Sequence, residues 1–239
     1  MKTEDLILFE DDMLVALNKP SGLLSIPDRE GRETSLKDML QARYGEIFTI
    51  HRLDKDTSGV IIFARTPEAH QYYSQQFEGR KTIKIYNGLV IGALQGEGSI
   101  DAPIAENMVR RGTMIVHRRG KQALTDYRAL KDYGKYTWVS FRIHTGRTHQ
   151  IRIHAKEIGH PLVCDPIYGD GKPLFLSALK NRFKLSKDVL EERPILDRLA
   201  LHAAQLTIQT PTGETLTLGA PLHKDLRATL QQLDKWKGN

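Results

Sequence analysis

A short run of acidic, basic and hydroxyl side chains interrupts an apolar part of the chain at residues 51–59. Its sequence is HRLDKDTSG, and the apolar run VIIFA follows directly. Functional side chains are often held on turns next to a rigid strand, so the pattern predicts a catalytic carboxylate on a turn before a buried strand. A solvated charged turn ended by Gly59 is the alternative interpretation.

The carboxylates of Asp54 and Asp56 allow two kinds of chemistry. A single carboxylate can act as a nucleophile or as a base. Two carboxylates on one strand face are typical of an inverting glycoside hydrolase, in which they lie roughly 6.5 to 9.5 Å apart. Such pairs are frequent in ordinary turns, and glycoside hydrolysis gives no reason for a basic composition. We therefore favour a mechanism with one catalytic carboxylate.

Three histidines, His144, His149 and His154, suggest a metal site as another alternative. Their spacing does not place the side chains on one helix face, and no cluster of Cys or Glu accompanies them. We expect His149 to be a hydrogen-bonded structural residue. The chain also lacks a nucleotide-binding glycine loop, so we expect neither a metal nor an organic cofactor.

Composition narrows the class of protein. The 239 residues allow one large domain or two small ones, and 35 Lys and Arg against 29 Asp and Glu suit a polyanionic partner. The single cysteine, Cys164, cannot form an intramolecular disulfide, and the first residues lack the apolar core of a signal peptide. These features predict a cytoplasmic protein. No apolar run approaches the ~20 residues needed to cross a bilayer, so a membrane role is excluded.

Periodicity and turn residues predict the elements that surround the charged turn. The predicted strands cover residues 6–9, 13–17, 60–65, 81–91, 122–130, 136–144, 201–209 and 214–218, and the predicted helices cover 36–44, 68–78, 148–158 and 224–236. In strand 81–91, Ile83, Ile85, Leu89 and Ile91 alternate on one face, which leaves Tyr86 on the other. One α+β domain on a largely antiparallel sheet accounts for this order.

Two further segments are basic. Residues 109–121 predict a hairpin whose rim carries Arg110, Arg111, Arg118, Arg119 and Lys121. Two interpretations of the rim stay open, a solvated edge or an arm that contacts phosphates. Residues 172–197 predict a basic, partly helical insertion that contains Lys180, Arg182, Lys184 and Lys187.

Several motifs, taken in order, resemble one known family. They are NKPSGLLS at 18–25, HRLD at 51–54, KIY at 84–86, TGRTHQIRIH at 145–154, GHPL at 159–162, DPIYG at 165–169 and RLALHA at 198–203. This series is similar to that of the RluA-type pseudouridine synthases, which isomerise uridine in ribosomal or transfer RNA. The resemblance covers about residues 6–222, so chance matching is a poor explanation.

The resemblance implies a fold and a partner. The expected fold is the α+β pseudouridine synthase catalytic fold, a largely antiparallel mixed sheet flanked by helices and loops around a central cleft. We expect a single catalytic domain over residues 1–239, without an N-terminal S4 domain. The implied partner is structured RNA, either ribosomal or transfer RNA. We expect no DNA partner, no membrane and a monomer. A catalytically inactive RNA-binding or assembly factor is the alternative.

The resemblance also implies roles for individual residues. Asp54 matches the catalytic aspartate, and Arg152 matches an arginine that pairs with this carboxylate and would keep it ionised. Tyr86 matches the residue that holds the extruded uracil by stacking and takes part in proton transfer. Leu201 would pack against the base, and Arg52 would help to fill the gap that the base leaves in the RNA.

One position departs from the family pattern. Cys164 stands where relatives usually have glycine. A small packed thiol is expected there. The departure makes the backbone conformation at residue 164 a feature to check in the structure.

Overall fold

The computed structural model describes residues 2–28, 30–180, 183–184 and 191–236. The helices of this part of the chain are α1 (Leu36–Tyr44), α2 (Pro67–Glu78), α3 (Gln150–Glu157) and α4 (Lys224–Trp236). The strands are β1 (Ile7–Glu10), β2 (Leu14–Lys19), β3 (Phe48–Thr49), β4 (Ser58–Ala64), β5 (Ile83–Ile91), β6 (Glu97–Asp101), β7 (Ile104–Glu106), β8 (Met114–Val116), β9 (Leu124–Asp132), β10 (Tyr136–Ile143), β11 (Leu201–Gln209) and β12 (Thr215–Gly219). Short 3₁₀ turns cover Thr3–Leu6 and Leu176–Ala178.

The chain divides into two compact units. Unit 1 contains residues 1–86, 142–144 and 202–221, and unit 2 contains residues 87–141, 145–201 and 222–239. The expected organisation as a single catalytic domain stays a prediction. The fold class, a mixed and mostly antiparallel α+β arrangement, is confirmed by the strand pairings.

Unit 1 is built on the strand order β1, β2, β4 and β11, with β3 beside β4 and β12 beside β11. The pairings are antiparallel except that β11 runs parallel to β4, where His202 lies opposite Ser58. Every residue of β4 is buried, as its continuous apolar sequence predicts for a strand covered on both faces. This central strand fixes the position of the charged turn that precedes it.

The two helices of unit 1 begin where the sequence predicts. Ser35 caps α1, and its hydroxyl accepts a hydrogen bond from the Asp38 amide at 3.2 Å while the Asp38 carboxylate accepts from the Ser35 amide. Thr66 caps α2, and Pro67 takes the first helical position, where a missing N–H costs nothing. Both helices pack apolar residues against the core formed by β2 and β4.

Unit 2 has the strand order β5, β10, β9 and β6, and β7 pairs with β8 as a separate hairpin. One apolar cluster contains Leu89, Trp138, Val163 and Leu226, and a smaller one packs Ile153 and other residues around the hairpin. A hairpin is present at the predicted place, and its second strand, Met114–Val116, lies within the predicted range of residues 109–121. Its first strand, however, is Ile104–Glu106, which lies before the segment that the sequence marked.

Two sequence expectations need correction. Helix α3 begins at Gln150, since His149 before it has a left-handed φ of 56°. Asp54 and Asp56 lie on a turn and not on a strand, which removes the geometry assumed for the glycoside hydrolase alternative.

The basic insertion is described only in part. Leu174 and Leu196 form a bridge, and the described residues between them include the 3₁₀ turn Leu176–Ala178. Arg182 and Lys187 lie outside the described residues, as does most of the predicted helical part. Lys180 is described, and its ammonium lies 5.0 Å from the ring centroid of Trp236.

Cys164 adopts a conformation that favours glycine. Its φ is 58°, its side chain is buried, and its thiol donates to the Leu196 carbonyl oxygen at 3.5 Å. Burial raises the pKa of this thiol to about 11, so the cysteine is a neutral, packed group. The expectation of a small packed thiol is confirmed.

Two searches of the described residues gave negative results. No helix among them is both long and apolar enough to span a bilayer. No group of three or more His, Cys, Asp or Glu residues in the described ranges is arranged to hold a metal ion.

Candidate active site

Asp54 lies on the turn of residues 51–57, which connects β3 to β4 and is called the Asp54 turn below. The carboxylate of Asp54 is half-buried, Arg52 is exposed, and Leu53 between them is buried in the core of unit 1. The Thr57 amide donates to the Asp54 carbonyl oxygen at 3.1 Å, which closes the turn. The side chain of Asp54 is therefore presented from a backbone whose neighbours are fixed by packing.

The segment of residues 18–25 holds this turn by hydrogen bonds to its backbone. Ser25 Oγ donates to the Leu53 carbonyl oxygen at 2.8 Å and accepts from the Leu53 amide at 3.1 Å. Ser21 Oγ donates to the Asp56 carbonyl oxygen at 2.7 Å. Residues on both sides of Asp54 are thus tied to one segment, which explains why the NKPSGLLS and HRLD motifs occur together.

Lys19 supplies the charged part of this support. Its side chain is 0% exposed, and Nζ donates to the carbonyl oxygens of Pro20, Leu23 and Lys55 at 3.0, 2.7 and 2.8 Å. An ammonium has three donors, and these three carbonyl oxygens accept from it. A buried lysine is rare. The free-energy cost of burying its charge is offset here by the three hydrogen bonds, one of which fixes the turn at Lys55.

His51 anchors the start of the Asp54 turn. Its Nε2 accepts a hydrogen bond from the Ile62 amide at 3.2 Å, and its ring stacks on Phe77 with centroids 4.6 Å apart. Burial, with a smaller effect of the Lys84 charge, lowers the pKa of His51 to about 3. The imidazole is neutral at physiological pH, as an acceptor at Nε2 requires.

The end of the turn is fixed by close approach of β4 to β11. Gly59 has a φ of 115°, and a Cβ there would lie 2.2 Å from the Ala203 carbonyl oxygen, so only glycine fits. Ser58 Oγ lies 2.9 Å from His202 Nδ1, and His202 Nε2 lies 3.0 Å from the Ala220 carbonyl oxygen. The buried His202 therefore connects three segments of unit 1.

Tyr86 lies near Asp54 in unit 1. The ring is half-buried and packs against the core that contains Phe63 and Leu53. Burial, together with the negative charge of Asp54, raises the pKa of the Tyr86 hydroxyl well above its usual range. The hydroxyl is therefore protonated at neutral pH and is able to donate a hydrogen bond beside the carboxylate.

Arg152 forms a buried ion pair in unit 2. Its Nε and Nη2 donate to the two carboxylate oxygens of Asp165 at 2.8 and 2.7 Å, and the two side chains are 3% and 0% exposed. Burial raises the pKa of Asp165, but the hydrogen bonds and charge of Arg152 and the amides of Ile167 and Tyr168 outweigh it and hold that pKa below its usual value. This bidentate pair fixes the plane of the guanidinium.

Tyr168 completes the surroundings of Arg152. The guanidinium carbon of Arg152 lies 5.2 Å from the Tyr168 ring centroid, and the Tyr168 hydroxyl lies 2.9 Å from His149 Nδ1. That hydroxyl also accepts from the Met114 amide at 2.7 Å. The expectation that His149 is a hydrogen-bonded structural residue is confirmed.

The basic hairpin of unit 2 presents its side chains to solvent. Arg110, Arg111, Arg118 and Arg119 are exposed, and no carboxylate among the described residues is paired with any of the four. Met108 and Val109, at the tip, are 89% and 96% exposed. A solvated edge and an arm that contacts phosphates both remain consistent with these exposed side chains.

The structure brings together some of the predicted residues. Asp54, Tyr86 and Arg52 belong to unit 1, whereas Arg152, Leu201 and the four hairpin arginines belong to unit 2. Leu201 is buried at the start of β11. The roles that the resemblance implies for these residues stay predictions.

Sequence reasoning missed three residues that shape the site. Ser25 and Lys19 act through backbone groups of the turn, and Asp165 is the partner of Arg152. Each of them lies within a motif that the resemblance marked, so the motifs carried a signal. The contacts themselves depend on the fold, since Lys19 meets a carbonyl oxygen 36 residues away.

The sequence matches the model of one known protein family. A family model described as RNA pseudouridylate synthase matches residues 13–157, which is more than half of the chain. This range includes the Asp54 turn, its supporting segment, Tyr86 and Arg152. The chain belongs to the RNA pseudouridylate synthase family.

Individual relatives agree with this assignment. The chain is 37% identical to the ribosomal large subunit pseudouridine synthase D of Nitrosomonas europaea and 35% identical to that of Pseudomonas aeruginosa, over 95% and 92% of its length. It spans 64% and 68% of the length of these two proteins. A solved structure named human RNA pseudouridylate synthase domain containing 4 is 26% identical with a TM-score of 0.74, and covers 97% of this chain and 94% of its own.

Proposed function

We propose that the chain isomerises uridine to pseudouridine in structured RNA, with Asp54 as its catalytic carboxylate. The observation that supports this most is the Asp54 turn, where backbone hydrogen bonds on both sides of Asp54 hold a half-buried carboxylate beside the protonated Tyr86 hydroxyl. Preorganised groups lower the barrier because they need not reorganise during the reaction. Family membership supplies the reaction.

The isomerisation breaks the bond from ribose C1′ to N1 and forms a bond from C1′ to C5. N1 gains a proton and C5 loses one, so atoms and charge balance without a redox cofactor. Asp54 takes part either by covalent attack or by removal of a ribose proton. Both routes require an ionised carboxylate that faces an extruded nucleotide, because a stacked uridine shields the reacting atoms.

Tyr86 is proposed to hold the extruded uracil. Its half-buried ring offers an aromatic face for stacking, and its protonated hydroxyl provides a donor. The pairing of Arg152 with Asp54, the packing of Leu201 against the base and the insertion of Arg52 into the RNA follow from the family resemblance and are proposed with it.

We propose ribosomal RNA of the large subunit as the substrate. The supporting observation is the printed name shared by the relatives that are 33% to 37% identical over at least 92% of this chain. Transfer RNA is the second substrate class to be tested. The exposed arginines of the basic hairpin would contact phosphates of either RNA. We further propose that the protein acts as a monomer in the cytoplasm.

The experiment is tritium release from RNA labelled at uracil C5. Wild-type protein and Asp54→Asn are incubated with unmodified large-subunit ribosomal RNA and, separately, with unmodified transfer RNA. We expect release only with wild-type protein and ribosomal RNA, and mapping of pseudouridine then identifies the position. Tritium release with transfer RNA alone would contradict the proposal that ribosomal RNA is the substrate. Tight RNA binding without release from either RNA would favour an inactive RNA-binding factor, which no described feature supports.

A further inference from the structure

Two cations beside the candidate active site have no anionic partner among the described residues. Lys84 lies two residues before Tyr86 on β5, and Arg80 lies just before that strand. The described residues offer no carboxylate or hydrogen-bond acceptor to the Lys84 ammonium or to the Arg80 guanidinium. This differs from Lys55 and Arg152, which are paired with Glu33 and Asp165, and from Lys19, whose ammonium donates to three carbonyl oxygens.

The Lys84 side chain is held in place by aromatic rings. Its Nζ lies 5.7 Å from the centroid of Phe77, and Phe77 stacks in turn on His51. Because alternate residues of a strand point to the same face, Lys84 shares its face with Tyr86. The ammonium thus lies by the ring that stacks on His51, at the start of the Asp54 turn, and its strand face also carries the proposed base-stacking ring of Tyr86.

This arrangement costs stability. Burial and the charge of Arg80 both lower the pKa of Lys84, so the folded protein disfavours the very charge it keeps there. Arg80 is exposed, and its left-handed φ of 55° closes the C-terminus of α2, where the amides of Arg80 and Lys81 donate to the carbonyl oxygens of Phe77 and Gln76. The disfavoured charge of Lys84 supports a binding role, because function often costs stability.

We infer that Arg80 and Lys84 form a binding site for an RNA phosphodiester next to the target uridine. This rests on the proposed function and deepens it by naming the group that is recognised. A lysine ammonium is a compact charge suited to phosphate, and the fork of an arginine binds phosphate oxygens in pairs. A phosphate here would supply the missing anion for both cations and would hold the nucleotide backbone while Tyr86 stacks on the base.

The test measures coupling between the two cations and single phosphates. Binding to a stem-loop that contains the target uridine is measured in the Asp54→Asn background, so that the RNA is not converted. Single methylphosphonates, which remove one charge each, replace the phosphates within two nucleotides of the target. We expect one position at which the methylphosphonate weakens binding about tenfold when Lys84 is present but has no further effect in Lys84→Met.

Stability separates this role from a structural one. Lys84→Met keeps the aliphatic stem on Phe77 and removes a buried charge, so its thermal midpoint should equal or exceed that of the parent protein. Lys84→Arg should retain most of the affinity. Arg80→Gly should weaken binding without lowering the midpoint, because it also removes the left-handed strain. Lys131→Met, at a lysine paired with Asp234, is the charge-matched control and should show no coupling to any phosphate.

Two outcomes would overturn the inference. In the first, each methylphosphonate weakens binding by the same factor with and without Lys84. In the second, Lys84→Met unfolds at a clearly lower temperature, which assigns the lysine to the core. Absence of pseudouridine with wild-type protein would instead contradict the proposed reaction, and the binding assay would still decide the phosphate site.

Discussion

The Asp54 turn and the basic hairpin are both charged connections between strands, yet they are built differently. The Asp54 turn is tied through its backbone to Lys19, Ser21 and Ser25, so that the carboxylate has a fixed origin. The hairpin leaves its four arginines and the apolar tip of Met108 and Val109 exposed. A reacting group requires a fixed position, whereas attraction of a polyanion requires only accessible charge.

Substitution of the fixed carboxylate should give the largest effect. We expect Asp54→Asn to lower the single-turnover rate by about 10³-fold or more while RNA binding is retained, because the catalytic group is removed and the turn is kept. Asp56→Asn, the matched control on the same turn, should reduce the rate less than about tenfold. Equal reductions from the two variants would indicate a two-carboxylate mechanism, and Asp54 would no longer be the single reacting group of the turn.

Removal of one partner of the Arg152–Asp165 ion pair should lower the stability of the folded protein. Asp165→Asn leaves a buried guanidinium without its counter-charge and should lower the free energy of unfolding by about 3 to 5 kcal/mol, measured by denaturant titration. A decrease below about 1 kcal/mol would mean that the pair is not buried in solution.

The same pair predicts a pH dependence of stability. The folded-state pKa of Asp165 lies below its ordinary value, so its contribution is fully present above that ordinary value, near 3.8, and is lost as the pH falls through the depressed folded-state pKa. Denaturant titrations between about pH 5 and pH 2 should show a smaller acid-induced decrease in stability for Asp165→Asn than for wild-type protein. If stability falls equally steeply with decreasing pH in both proteins, the ion pair is not the cause of the decrease.

The hydrogen bonds that hold the Asp54 turn should contribute to stability, and this contribution can be measured separately from turnover. Ser25→Ala removes both hydrogen bonds to Leu53 and should cost about 1 to 3 kcal/mol of stability, because a buried carbonyl oxygen and amide are left without their partner. Turnover should fall as well, since the backbone that carries the Asp54 carboxylate is no longer held in place. Ser99→Ala, which removes an exposed hydrogen bond to Asp126, is the control and should change neither quantity appreciably.

Neutralisation of the four hairpin arginines should weaken RNA binding without changing which uridine is modified. With Arg110, Arg111, Arg118 and Arg119 replaced by Gln, binding to target and non-target RNA should weaken alike. The slope of log affinity against log salt should fall by about 0.7 for each phosphate that is no longer neutralised. Uridine choice and thermal stability should be retained. A full salt slope in this variant would make the hairpin a solvated edge.

The smallest expected effect concerns Cys164. Cys164→Gly relieves a left-handed backbone strain but also loosens the unfolded chain, so we expect a net change of stability within about 1 kcal/mol, with turnover unaffected. Cys164→Ala, which keeps the strain, should be the less stable of the two variants. The reverse order would show that packing of the Cβ and the lower entropy of the unfolded chain outweigh the backbone strain.

Local rules predicted most of the elements and the position of the Asp54 turn. The apolar run of β4, the cap at Ser35, Pro67 at the start of α2 and the strands β11 and β12 all carry strong local signals. The short β3 and the glycine-containing β6 do not, because they are defined by their partners β4 and β9. Pairing partners far away in the chain leave little trace in local periodicity.

Contacts that set the site were harder to predict. Residue type alone places a lysine at the surface, yet Lys19 is completely buried because three carbonyl oxygens converge on it. Likewise, the resemblance implied that Arg152 pairs with Asp54, which stays a prediction, and gave no sign that Asp165 is its bidentate partner within unit 2. Family motifs indicated these residues, but only the fold shows what each of them contacts.

The parallel pairing of β11 with β4 has a consequence for folding during synthesis. His202 and Ala203 pair with Ser58 and Gly59, so the sheet of unit 1 cannot be completed until more than 140 intervening residues have been made. At about 5 to 20 residues per second, the turn that carries Asp54 waits roughly 7 to 30 seconds on the ribosome without that neighbouring strand. During this interval the first residues of β4, Ser58 and Gly59, lack their β11 partner, and an unpaired strand edge favours aggregation.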